Sequence, residues 1–94
     1  MLLVAILTIE RTQLAAFRAY EMTAARIMAR HGGKIERAVV LEGEPLRELH
    51  LVRFPDDDAF ARYRADAELQ ALRAERDRCV LATEILPAHD GPQY

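Results

Sequence analysis

The chain opens on an uninterrupted apolar run, Leu2 to Ile9. Leu3, Ala5, Leu7 and Ile9 fall on one alternating face, with Leu2, Val4, Ile6 and Thr8 on the other. A strand with two apolar faces has to be covered on both sides. The period then changes. Leu14, Phe17, Tyr20, Ala24 and Ile27 recur at steps of three and four, the stripe of an amphipathic helix running to about Arg30. Thr12 is the expected cap at its start. His31-Gly32-Gly33 is the expected stop, with Gly32 in the left-handed conformation.

Lys34 to Glu42 alternates again, as does Leu46 to Phe54, and Gly43-Glu44-Pro45 lies between them as a turn. So short a connection predicts an antiparallel hairpin. Pro55 ends the second of these strands. Asp56 then caps a helix whose first turn carries Asp57 and Asp58 at the positive end of its dipole. Phe60 and Tyr63 face inward on this helix. Asp58 with Arg62, and Arg62 with Asp66, are spaced for charge pairs. Asp66 is placed to cap a second helical segment carrying Leu69 and Leu72. Cys79 to Leu86 reads as a last strand, and residues 87–94 as a loose polar tail.

The order β-α-β-β-α-β in one domain, residues 1–86, predicts a ferredoxin-like α+β fold. It has a four-stranded antiparallel sheet with two helices on one face, since right-handed crossovers place both helices on the same side. The first and third strands would be central, and their second apolar face would lie bare. A bare apolar face of that size is a liability in water. The expected cover is a second copy of the sheet, which makes the chain its own partner in a homodimer.

Composition narrows the partners. Thirteen basic and 15 acidic residues leave a net charge of −2, with no basic stripe for nucleic acid. The apolar opening run is too short to span a membrane and lacks the flanks of a signal peptide. A lone cysteine, Cys79, excludes an internal disulfide and suits a reducing compartment. A cytoplasmic location is the expectation. No Cys or His cluster marks a metal site, and no cofactor is expected.

The ordered set Phe17-Arg18-Ala19-Tyr20, His31-Gly32-Gly33-Lys34, Val52-Arg53-Phe54-Pro55, Phe60 through Asp66 and Gln70-Ala71-Leu72-Arg73 resembles domain-of-unknown-function family 1330. That family is a branch of the dimeric α+β barrel superfamily. The resemblance covers about residues 3 to 86. It implies a two-sheet dimeric barrel with a small cavity in each subunit, and it implies no particular reaction. Asp66-Ala67-Glu68-Leu69 stands where the family commonly has Ser-Pro-Glu-Tyr, and Leu41-Glu42-Gly43 where a Gly-Gly is common.

His50 and Glu48 alternate on one face of the third strand, which in the expected dimer looks into the barrel. His50 is the candidate catalytic base, because histidine titrates near neutrality. A hydrogen-bonded interface pair, or a strand face that stays wet, is the other use of the same two residues. Tyr20 and Tyr63 lie on the inward stripes, either as core residues with a polar tip or as ligand-orienting groups. Arg73, near Gln70 and Arg76, can hold a carboxylate or pair with Asp77 on a solvated face. Glu48 completes the candidate ligand-binding set. Glu21 borders the helical stripe, as a surface partner of Arg18 or as a half-buried carboxylate.

Two functional readings follow. One is a small-molecule-binding protein, with cofactor-independent oxygenation or isomerisation as the reaction if it is an enzyme. The other is a non-catalytic binding or assembly module whose barrel interior is filled.

Overall fold

The computed structural model describes all residues 1–94. Its elements are β1 (Leu2–Ile9), a 3-10 turn (Arg11–Gln13), α1 (Leu14–Arg30), β2 (Lys34–Leu41), β3 (Arg47–Arg53), α2 (Asp57–Ala65), α3 (Ala67–Ala71), α4 (Arg73–Cys79) and β4 (Val80–Ala88). The four strands form one antiparallel sheet in the order β2-β3-β1-β4. This is the ferredoxin-like arrangement, with β1 and β3 central as the apolar patterning requires. No helix is long and apolar enough to cross a membrane.

The helix ends show how local chemistry sets the boundaries. α1 stops in a two-bond C-cap: the Gly33 amide donates to Met28 O and the Gly32 amide to Ala29 O, each at 3.0 Å. Gly32 sits at φ +75°, where a Cβ is strained. Gly33 is needed for a different reason. A Cβ there would lie 2.4 Å from Phe54 Cε1 and 2.5 Å from Met28 Cγ. Asp56 caps α2 by accepting from the Ala59 amide at 2.8 Å, and Asp66 caps α3 by accepting from the Glu68 amide at 2.9 Å. Thr12 caps nothing. It is taken up in the 3-10 turn, and the amide of Gln13 is satisfied by Glu10 O instead.

The two helical segments expected after Pro55 are three short pieces: Asp66 divides the first from the second as its cap, and a further break falls at Leu72. The last strand begins one residue late, because Cys79 ends α4, and continues to Ala88. Beyond it Asp90 accepts from Arg53 at 3.1 Å. The expected Asp58–Arg62 and Arg62–Asp66 pairs do not form. Asp66 turns instead to His31 Nε2, 2.8 Å away, and to Arg30 at 3.5 Å.

Strand register assigns the faces. Leu3, Ala5 and Leu7 of β1 stand opposite Val52, His50 and Glu48 of β3. All lie on the helix side, and all but Ala5 are buried. The other side carries Leu2, Val4 and Ile6 with Leu49 and Leu51, and no helix covers it.

The buried core is in two parts. One gathers Leu3, Met28, Val52, Phe54 and Ala59, the other Leu7, Ile9, Phe17, Cys79 and Val80. Phe17 and Phe54 are the largest buried side chains, one in each part. The gap between these two clusters is where polar groups gather.

Candidate functional site

Between the two halves of the core lies a cavity of about 330 Å³. β1 and β3 form its floor through Leu3, Ala5, Leu7, His50 and Val52. α1 contributes Tyr20, Glu21, Ala24 and Met28. Tyr63 comes from α2, while Arg73 and Arg76 come from α4. The space exists because Ala5 and Ala24, small residues on facing elements, leave it unfilled. Tyr20 packs on one core cluster and Tyr63 on the other, so the two rings flank the opening. The volume is at the small end of the range for ligand sites.

The Glu48–His50 face is therefore corrected. It does not look across the bare side of the sheet toward a second subunit. The pairing of Ala5 with His50 and of Leu7 with Glu48 turns it under the helices of its own chain.

There the two residues are 4 % exposed and joined, His50 Nε2 to Glu48 Oε1 at 3.0 Å. Arg18 NH1 donates to the other oxygen of Glu48. Burial alone would raise the Glu48 pKa, but the hydrogen bonds from Arg18 and His50 outweigh it and hold the group below its usual value. Glu48 is thus ionised and can only accept, so the proton on Nε2 of His50 is its own. In the neutral ring Nδ1 then carries the lone pair, and it makes no hydrogen bond.

Nδ1 points toward Glu21, with Oε2 at 3.9 Å. Glu21 is the carboxylate that the sequence offered two uses for, and the surface pair with Arg18 is not the one realised. Arg18 turns to Glu48, while the Glu21 side chain is 17 % exposed on the cavity wall. Burial raises its pKa, with His50 opposing the shift and Glu48 reinforcing it. The result is a line Arg18–Glu48–His50–Glu21 running from the surface to the cavity.

The other candidates divide. Tyr20, Tyr63 and Arg73 all reach the cavity wall, whereas Glu48 does not; it stands behind His50 and touches the cavity only through it. Burial raises the pKa of both tyrosines, so each is a neutral hydroxyl at physiological pH. His31 is a helix-end residue bonded to Asp66, which its hydrogen bond holds below the usual carboxylate range. Cys79 is buried, its thiol pushed up by desolvation.

Gln70 and Arg76, named beside Arg73 in the sequence, line the cavity with it, and so do Arg64 and Thr83, which the sequence did not single out. Arg76 donates to Thr83 Oγ1. Leu69, at the position of the family's common tyrosine, is an apolar part of the wall. No group of three or more His, Cys, Asp or Glu side chains is arranged to hold a metal ion.

The fold has counterparts among solved proteins. The structure of SnoaB, a cofactor-independent oxygenase from Streptomyces nogalater, superposes with a TM-score of 0.70 at 18% identity, covering 96% of this chain and 93% of that one. A NIPSNAP domain protein from Burkholderia xenovorans gives 0.71 at 16%, covering 99% and 100%. A candidate antibiotic biosynthesis monooxygenase from Nitrosomonas europaea gives 0.66 at 13%, covering 93% and 96%. At these identities the likeness establishes the fold alone. No curated protein matches the sequence. The pattern described as domain of unknown function (DUF1330) matches residues 3–86, nearly the whole ordered fold. The chain belongs to that family, on a ferredoxin-like α+β scaffold shared with monooxygenase-type proteins.

Proposed function

We propose that the cavity binds a small, partly apolar organic molecule and that His50 removes a proton from it without a cofactor. The observation that carries this reading is the orientation of one imidazole. Its Nε2–H is anchored on a buried, ionised carboxylate, and its Nδ1 makes no hydrogen bond, with Glu21 3.9 Å away in the wall of a partly apolar cavity. A base needs this arrangement. As Nδ1 gains a proton the ring becomes cationic, and Glu48 already stands where that charge is stabilised. Glu21 beside Nδ1 can take the proton on or return it. Tyr20 and Tyr63 offer neutral hydroxyls to orient a carbonyl or phenol.

Proton abstraction from a carbon or phenolic acid is the common first step of isomerisation and of oxygenation without a cofactor. The oxygenase activity stated for SnoaB supports that chemistry here by likeness of fold. A second copy of the chain covers the bare face, where each aliphatic side chain removed from water contributes about 1.5–3 kcal/mol. The free buried thiol suits a cytoplasmic setting.

A thermal-shift screen of small phenols and carbon acids, followed by deuterium wash-in at the acidic carbon by NMR, tests the reading. Binders should exchange, and His50→Ala should slow exchange about a hundredfold or more while binding persists. Binding with exchange untouched by His50→Ala would leave a binding module and remove the base. No binder at all would remove the cavity as a ligand site.

A further inference from the structure

The 12 arginines of this chain fall into three groups, one of which, Arg37, Arg47, Arg62 and Arg78, neither meets a carboxylate nor lines the cavity. Arg11, Arg18, Arg26, Arg30 and Arg53 each lie within 4.0 Å of a carboxylate. None of these five lines the cavity. Arg64, Arg73 and Arg76 do line it, and none has a carboxylate partner. The pair expected between Arg73 and Asp77 is not made, although both reach the same wall.

These three guanidinium groups are not equally held. Arg64 lies over the Phe60 ring at 5.5 Å. Arg76 is anchored on Thr83 at one side of the cavity. Arg73 is exposed and has no hydrogen-bond partner among the side chains. The carboxylates on the same wall are Glu21 and Asp77. Three cations thus face two acids, one of which burial inclines toward its neutral form.

We propose that Arg73 and Arg76 recognise an anionic group, and that the ligand class is small organic carboxylates with an apolar body. This rests on the cavity being the ligand site and names what it selects. The apolar body lies on Ala5, Ala24 and Leu69, and the carboxylate takes up the unpaired donors of α4. Arg76, already oriented by Thr83, loses little on accepting a carboxylate, Arg73 adds a second unpaired cation, and the resulting bonds are charge-assisted.

The test compares phenylacetate, its uncharged isostere phenylacetamide and the cation phenethylamine by calorimetry, on the wild type and on the double variant Arg73→Gln, Arg76→Gln. Arg62→Gln, an exposed arginine off the cavity, is the control. Phenylacetate should bind about tenfold or more tighter than phenylacetamide, and phenethylamine weakest. The double variant should lose that preference while holding phenylacetamide as before, and Arg62→Gln should keep it. If the double variant folds poorly, the single variant Arg73→Gln should lose part of the preference where Arg73→Lys, which retains the charge, keeps more of it, and equal preference in the two overturns the role of Arg73.

Equal affinity for acid and amide overturns the proposal and leaves the cavity reading standing. So does a preference that survives the double variant. If none of the three probes binds, both fall together.

Discussion

Ala5 stands directly across the β1–β3 ladder from His50, on the helix side of the sheet. Its neighbours on that face, Leu3 and Leu7, are buried in separate halves of the core. One small residue therefore separates two apolar clusters and leaves room above the imidazole. Ala5→Leu should fill that room. The expected outcome is a folded protein with an unchanged far-ultraviolet dichroism spectrum. Affinity for cavity ligands should fall about tenfold or more, at a stability cost of no more than about 1–3 kcal/mol. Undiminished binding would show that the ligand sits elsewhere.

Glu48 and Glu21 should shape stability in opposite directions with pH. The pKa of Glu48 is held below its ordinary 4.5, so its contribution is complete above that value and is lost as pH falls through the lower folded one. Glu48→Gln should flatten the acid limb. It should also cost roughly 2 kcal/mol near neutrality, because Arg18 loses its partner but remains partly in water. Denaturant titrations at a series of pH values check both.

The pKa of Glu21 is raised above 4.5, so the fold favours its protonated form. Its contribution is complete below 4.5 and is lost as pH rises through the folded value. Glu21→Gln should remove that decline. The variant should gain on the wild type as pH rises from acid to neutral, and a constant difference across the range would refute the assignment.

Gly33 has no space for a side chain, because Phe54 and Met28 close over its α-carbon. Gly33→Ala should cost about 1–3 kcal/mol through displaced core side chains. At this size about 4–8 °C of melting temperature is lost per kcal/mol. A variant that melts within a degree or two of the wild type would mean that the corner between α1 and β2 relaxes freely.

Ile6 lies at the centre of the bare face, with Val4 and Leu49 as neighbours. Ile6→Asp should give a folded monomer by sedimentation, where the wild type should sediment as a dimer. The carboxylate would be buried between two sheets with no partner. Equal sedimentation of the two would show that this side of the sheet is not the subunit contact.

Much of this molecule was legible in one dimension. The period of apolar residues marks each strand and α1, because side chains repeat every second residue in a strand and every three or four in a helix. Asp56 and Asp66 announce their caps, and Gly32 its turn, because these are contacts between residues a few positions apart. The central place of β1 follows from its two apolar faces.

What periodicity could not carry was which side of β3 lies under the helices. Glu48 and His50 share a face by alternation alone, but alternation has no sign. Only pairing with β1, which puts Ala5 against His50 and Leu7 against Glu48, turns that face inward. Glu21 became a cavity residue in the same way. Arg18, the partner expected for it, found Glu48 on a strand 30 residues further along the chain. Local patterns state what each segment needs to bury. The charges that end up side by side are settled by contacts between segments far apart in the chain, and those exist only once the sheet has closed its register.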